Sequence, residues 1–230
     1  MAFTKMTSIV PVLIAVGAAI VIYPFAWYLL HRYVLHGAFL YRSPLTAAVW
    51  KRIHFDHHRD PHHLNVLFGA LYTTLPTIFI VTAPIGWLIG GDVGMSAAFC
   101  AGLIITCFYE FNHCIQHLNY TPKWKFLQEM KRLHLLHHFH DENANYGITN
   151  FGPDKVFGTF SPKTGGAKRS ETVFNLGYTK EEVKKFPWVA RLTPDVDEQD
   201  AIINGLDRRK PLRENKSKPA ASIKEQKDAA

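Results

Sequence analysis

Three long stretches of this 230-residue chain carry no charge at all, and they limit what it can fold into more than any other feature. Residues 8–30 are apolar apart from Ser8, Tyr23, Trp27 and Tyr28, residues 66–90 form a second uncharged run, and residues 94–109 form a third that continues into Glu110. Runs of about 20 apolar residues match the hydrocarbon thickness of a bilayer. A signal peptide is the other reading of the first run. Its flank carries only Lys5, however, and no small-residue cleavage site precedes His31, so it reads as a retained span. The expectation is an all-α integral membrane helical bundle of about three to four spans, three of them counted.

The net charge of +7 is uneven. Arg32, Arg42, Lys51, Arg52 and Arg59 lie between the first and second runs, and Lys123, Lys125, Lys131 and Arg132 follow the third. The short connection at 90–94 carries only Asp92. By the positive-inside rule the segments beyond the first and third runs face the cytoplasm. The basic excess is then a topology and lipid-headgroup signal, and no nucleic-acid partner is implied. Cys100, Cys107 and Cys114 lack CxxC spacing, which speaks against a disulfide framework or a thiolate zinc site.

All 13 histidines lie between His31 and His140. Ten form four clusters: His31/His36, His54/His57/His58, His113/His117 and His134/His137/His138. Residues three and four apart share a helix face, so each triplet and the His113/His117 pair can present imidazoles to one side. His31 and His36, five apart, diverge by roughly 140° on a regular helix. Gly37 then ends the helix and lets His36 swing back. Imidazole suits Fe, Zn, Cu and Ni, and ten ligands exceed the three or four that one zinc needs, so two metals with about five histidines each fit better.

The segment Lys51-Arg52-Ile53-His54-x-x-His57-His58 matches Lys131-Arg132-Leu133-His134-x-x-His137-His138. Either shared metal chemistry imposes this echo, or it marks two pseudo-twofold half-sites, each made by one span and one interfacial helix. The first of those helices is expected from Ser43-Pro44, as N-cap and first-turn proline, to about Arg59. The second follows Thr121-Pro122, with Trp124, Leu127, Met130 and Leu133 on its apolar side. Glu110-x-x-His113 is the only Glu-x-x-His motif, so the soluble di-iron bundle scaffold does not fit. Glu110 has a supporting or substrate-side role as readily as a ligating one. His62, His63 and His140 break the helical register and read as bystanders, while Asp60, Asp141 and Asn145 are placed to orient ring N–H groups. Thr179 and Glu182 form a capping box, so a short helix is expected there. The chain divides into 1–160, which holds spans and histidines, a cytoplasmic extension at 161–206, and a charged tail at 207–230 expected to be disordered.

The cluster order His-x4-His, His-x2-His-His, His-x3-His, His-x2-His-His resembles the integral-membrane fatty acid hydroxylase/sterol desaturase superfamily. Asn145-Tyr146-Gly147-Ile148-Thr149 through Asp154-Lys155-Val156-Phe157-Gly158-Thr159 is similar to that family's closing motif, and the resemblance covers roughly residues 20 to 160. It implies a membrane-bound fatty acid hydroxylase-like domain with a cytoplasmic histidine-rich di-metal cap, and two irons (zinc in some purified forms) held by the ten clustered histidines. The implied reaction is oxygen-dependent hydroxylation of a lipid C–H bond, the lipid being fatty acyl, sphingolipid, sterol-like or carotenoid. Pro153 departs from the tryptophan many members carry. No His-Pro-Gly-Gly haem motif is present, so electrons are expected from a separate ferredoxin or b-type cytochrome with its reductase. A membrane acyl desaturase and a histidine-rich membrane metal transporter are the rival readings.

Overall fold

The structure, a computed structural model, describes residues 8–193, and among them every regular element is helical. Helix α1 (Val10–Leu29) runs into a widened π turn at Leu30–Leu35. Short helices α2 (Phe39–Arg42), α3 (Ala47–Trp50), α4 (Asp56–Arg59) and α5 (Leu64–Leu67) follow, with a second π segment, Lys51–Phe55, joining α3 to α4. Helix α6 (Leu71–His117) is the longest. Beyond it lie α7 (Lys125–Phe139), α8 (Gly152–Val156), α9 (Lys180–Lys185) and α10 (Trp188–Arg191).

Two helical stretches are long and apolar enough to cross a membrane, Val10–Leu35 and Asn65–His117. The second and third uncharged runs therefore belong to one helical stretch, which stays helical through Pro76 and Pro84. After the non-helical residues 68–70, α6 breaks only at Gly90 and Gly91, where Gly91 takes φ 58°, a conformation that glycine adopts without steric cost. The arms 71–89 and 92–117 fold back on each other. A Cβ on Gly86 would overlap Gly94 O, so the backbones touch at that crossing. Helix α1 lies along the hairpin with Ala15 and Ala19 against Ala98 and Ala101, and Tyr23 Oη is 3.0 Å from Thr106 Oγ1. Small residues permit this close approach where apolar solvent supplies no hydrophobic drive.

The segments carrying the other histidines gather where the hairpin arms end. Three start signals act differently from expectation. Ser43 ends α2, and the helical stretch to Arg59 begins at Ala47, because the Ser43 carbonyl accepts from Thr46 N and Ala47 N in a turn. Helix α7 begins at Lys125 after an uncapped Trp124, three residues beyond Pro122. Its Met130 and Leu133 are buried against Phe151, but Trp124 is 74% exposed. Helix α9 starts after Thr179, yet no capping box forms. Glu182 instead accepts from Tyr41 Oη at 2.9 Å and pairs with Arg42 at 3.2 Å. Those contacts fasten residues 176–190 to the stretch 41–55, where Leu176, Tyr178, Val189 and Ala190 pack on Tyr41, Trp50 and Phe55. The tail at 207–230 lies outside the described residues.

The glycine contact gives a direct test. Gly86→Val should destabilise the folded protein by about 1–3 kcal/mol through overpacking. Gly17→Ala, whose added carbon meets nothing within 4 Å, should leave the melting temperature in detergent unchanged or higher. Equal melting temperatures for the two variants would refute the hairpin crossing.

Candidate metal centre

His31 and His36 meet because the helix between them is wound wide. The His36 amide donates to His31 O at 3.0 Å, an i→i+5 bond that brings the fifth residue over the first. Their Nε2 atoms lie 3.2 Å apart. The chain does leave the helix at Gly37, as expected, but the π turn rather than a swing of the chain end aligns the pair.

Nine of the ten clustered histidines fall into two groups that could each hold a metal ion. One contains His57, His113, His117, His134 and His138; the other contains His31, His36, His54 and His58. His137 joins the second group, its ring centre 4.9 Å from each of His31, His36 and His58. The expected half-sites are therefore crossed. The middle histidine of each triplet, His57 in one and His137 in the other, belongs to the opposite group. Neighbouring residues on a helix point about 100° apart, so the adjacent pairs His57-His58 and His137-His138 cannot aim at one point. His58 and His138 stack at 4.1 Å where the two groups adjoin.

The nitrogen positions fit bound cations. His113 Nε2 lies 3.0 Å from His57 Nε2 and 3.2 Å from His117 Nε2, which is 2.9 Å from His134 Nε2. A neutral imidazole has one N–H, so all these lone pairs cannot be satisfied by one another. Nitrogens at about 2.1 Å from a common ion and at right angles to each other lie about 3.0 Å apart. In the second group the Nε2 atoms of His54, His58 and His137 are buried without partners.

Outer ring nitrogens are held by backbone carbonyls. His31 Nδ1 donates to Tyr146 O at 2.6 Å, His137 Nδ1 to Ala144 O at 2.7 Å, and His58 Nδ1 reaches Val173 O at 3.4 Å. Of the expected orienters, Asp141 accepts from Asn143 N at 2.9 Å. Asn145 sits at φ 56° and clips the loop to Ser161 through two hydrogen bonds. Asp154, fully buried, accepts from Tyr146 N at 2.7 Å, Gly147 N at 2.8 Å and Thr159 Oγ1 at 2.8 Å. It thereby fixes the peptide that carries the Tyr146 carbonyl behind His31, and through Thr159, whose carbonyl accepts from Asn145 N at 2.9 Å, it steadies the Ala144 carbonyl behind His137. The sequence places this aspartate in a motif but does not assign it that task, since the contact needs the loop's fold. His62 donates from Nδ1 to His117 O at 2.8 Å and lies outside both groups, and so do the exposed His63 and the half-buried His140, whose carbonyl accepts from Ser170 N.

A cavity of about 280 Å³ opens beside both groups, with Val34, Leu35, Val49 and Ile53 on its apolar wall and His54, His57, His113 and His138 at its histidine end. Glu110 lines it too, accepting a hydrogen bond from Gly69 N at 3.3 Å.

A family model of fatty acid hydroxylases matches residues 16–159, more than half of the chain, and the chain belongs to that family. It is 29% identical over 147 residues to the ceramide very long chain fatty acid hydroxylase scs7 of Schizosaccharomyces pombe, covering 60% of this chain and 41% of that one. It is 28% identical over 177 residues to the dihydroceramide fatty acyl 2-hydroxylase FAH1 of Arabidopsis thaliana, covering 73% and 67%. Human fatty acid 2-hydroxylase is 24% identical over 150 residues, with 59% of this chain and 36% of that one covered. The chain thus spans from about a third to two thirds of the length of these relatives. The solved structure of full-length scs7p, in which only the hydroxylase domain is visible, shares the fold at TM-score 0.58 and 23% identity, over 72% of this chain and 61% of that one.

Burial, reinforced by neighbouring imidazoles, holds His54, His58 and His138 well below the ordinary histidine range, and burial holds His137 at about 4. Unfolded imidazoles take up protons near pH 6.5, so between that value and about 4 the unfolded chain binds more protons than the folded one. Metal-free protein should therefore keep a steady melting temperature above pH 7 and lose stability progressively as pH falls through that window. A melting temperature flat from pH 7 to 4 would contradict the burial of neutral rings. Separately, Asp154→Ala should weaken metal binding by about 10–100-fold in a chelator competition, because the carbonyls behind His31 and His137 lose their anchor.

Proposed function

We infer that the protein is a membrane-bound, oxygen-dependent lipid hydroxylase with two irons, one in each histidine group. The carrying observation is the apolar cavity that ends on histidines of both groups. Family membership and the relatives named for ceramide and fatty acid hydroxylation support the same activity, with a fatty acyl or sphingolipid-like chain as substrate. The ligands are His57, His113, His117, His134 and His138 for one iron, and His31, His36, His54, His58 and His137 for the other.

Iron, when bound, supplies the oxygen-dependent oxidation of a C–H bond. The chain's own residues do the rest. Val34, Leu35, Val49 and Ile53 hold the alkyl chain and exclude water from the histidine end. Carbonyls of Ala144, Tyr146 and Val173 keep a proton on Nδ1 of His137, His31 and His58, leaving each Nε2 free to ligate. Electrons come from a separate ferredoxin or b-type cytochrome with its reductase.

Val10–Leu35 and the two arms of α6 make three spans, with Gly90 and Gly91 on the far side. The basic residues beside the histidines support a site on the cytoplasmic face. Residues 1–160 form the hydroxylase domain. The extension from 161 completes it by bringing Val173 to His58.

Lipid mass spectrometry of cells with and without the protein tests the reading. The expected product is a lipid heavier by one oxygen; loss of two hydrogens would instead indicate a desaturase, and no lipid change would overturn the oxidase reading. Purified protein should hold about two irons per chain. His57→Ala and His137→Ala should each abolish turnover and release metal, His57→Ala from the His113 group and His137→Ala from the His36 group. Full activity and full iron content in either variant would remove that histidine from the ligand set.

A further inference from the structure

The two histidine groups differ in what stands behind them. In the His36 group three of the five rings have a backbone acceptor for the outer nitrogen: Tyr146 O for His31, Ala144 O for His137 and Val173 O for His58. Two of these carbonyls have a buried carboxylate behind them. Asp154 accepts from Gly147 N, in the peptide that carries the Tyr146 carbonyl. Glu142, 4% exposed, accepts from Ser170 Oγ at 2.9 Å and from Thr172 Oγ1, directly before Val173. In the His113 group the Nε2 atoms of His57, His113, His117 and His134 converge, which turns their Nδ1 atoms outward. His113 has a backbone acceptor in Leu67. The Nδ1 atoms of His57, His117, His134 and His138 are all buried, and among the described residues none has a hydrogen-bond partner. Three of those four rings stand on α6 and α7, where interior carbonyls are engaged in helix hydrogen bonds. The groups differ in position too: His57, His113, His134 and His138 of one line the cavity, against His31 and His54 of the other.

On the reading that each group holds one metal ion, we propose that the two positions are unequal: the His36 group is a tight, anchored site, and the His113 group is a weaker, exchangeable site that faces the cavity. A ring that ligates through Nε2 carries its proton on Nδ1. Donation from that N–H to a fixed carbonyl makes the imidazole a stronger ligand and holds its plane, and losing such a partner ordinarily lowers metal affinity by about 10–100-fold. Rings without that support give less electron density to an ion, which leaves it the stronger Lewis acid, and they turn more easily to admit a further ligand from the cavity. Glu142 is thereby a positioning residue for the anchored site, acting through Thr172 and the Val173 carbonyl.

The test is chelator competition on the purified full-length protein in detergent, saturated with zinc alone as the probe. Zinc should leave in two steps of one ion each, with affinities about tenfold or more apart. Glu142→Ala should weaken binding of the tighter ion alone, by about tenfold, and bring the two steps together. Glu142→Gln, whose amide oxygen still accepts from both hydroxyls, should stay within about threefold of wild type. His134→Ala should lose the weaker ion and keep the tighter one. Two ions of equal affinity overturn the inequality while leaving the two-metal reading intact, and that result depends on no variant folding. Loss of the tighter ion from His134→Ala overturns the assignment of the weak site, and an unchanged tighter ion in Glu142→Ala removes Glu142 from its positioning role. One ion or none in the saturated wild type overturns the two-metal reading itself.

Discussion

Ten imidazoles taken out of water in two adjoining groups impose the requirements that the rest of the fold meets. Buried and side by side, they cannot carry charge, so their lone pairs converge on space that suits a cation, and their outer N–H groups need acceptors. Helices cannot supply those acceptors from their interiors, because helical carbonyls are already engaged. Free carbonyls come from irregular backbone. This accounts for the loop at 144–148 pressed against the histidines, with Asn145 in the left-handed region and Asp154 holding the amides of Tyr146 and Gly147. It also accounts for Val173, from near the end of the described chain, reaching His58.

The crossing of His57 and His137 ties the two halves together. Neither span-plus-helix unit can complete a histidine group alone, since each lends its middle histidine to the other. The stretch 47–59 and α7 therefore have to be placed relative to each other before either group closes. Their fixation is visible on both sides. Trp50 donates to Leu35 O at 2.7 Å, and Lys131 Nζ donates to Tyr120 O at 2.7 Å, bracing each helix against the end of an apolar span. Lys131 sits three residues before His134 just as Lys51 sits three before His54, but Lys51 pairs with Asp56 instead. The echo in sequence thus extends to the histidines and stops at the lysines.

The uncharged runs and the histidine spacing alone make the helical class, the metal chemistry and the gathering of the ten histidines legible. Periodicity on an ideal helix is the limit. It treats each triplet as one face, though the 100° between adjacent histidines already separates His57 from His58. It also has no means of anticipating the π turn at Leu30–Leu35, which depends on packing of the cap and leaves no compositional mark. Start signals fail for a related reason. Ser43 and Glu182 are chemically suited to caps, but long-range partners claim the glutamate, and a local turn claims the serine. The task of Asp154 depends on a loop closing over eight residues onto backbone amides, which no helical or strand period encodes.

The distribution of side-chain size along the hairpin explains where the cavity lies. Near the turn, Gly86 and Gly94 let the two backbones touch, and Gly102 admits Ile78 and Thr82 one layer further on. Beyond that level the facing residues grow: Thr74 and Thr77 on one arm, Tyr109, Glu110 and His113 on the other, all lining the cavity. Arms that are pinned together at one end and spaced by large side chains at the other leave a wedge between them, and α1 and the π turn after it close its side with Trp27 and Val34. The wedge widens towards the end that carries the histidines, so the same gradient that stiffens the hairpin in an apolar solvent delivers an apolar space to the metal-binding groups. A hairpin packed uniformly with small residues would hold together equally well and leave that space closed.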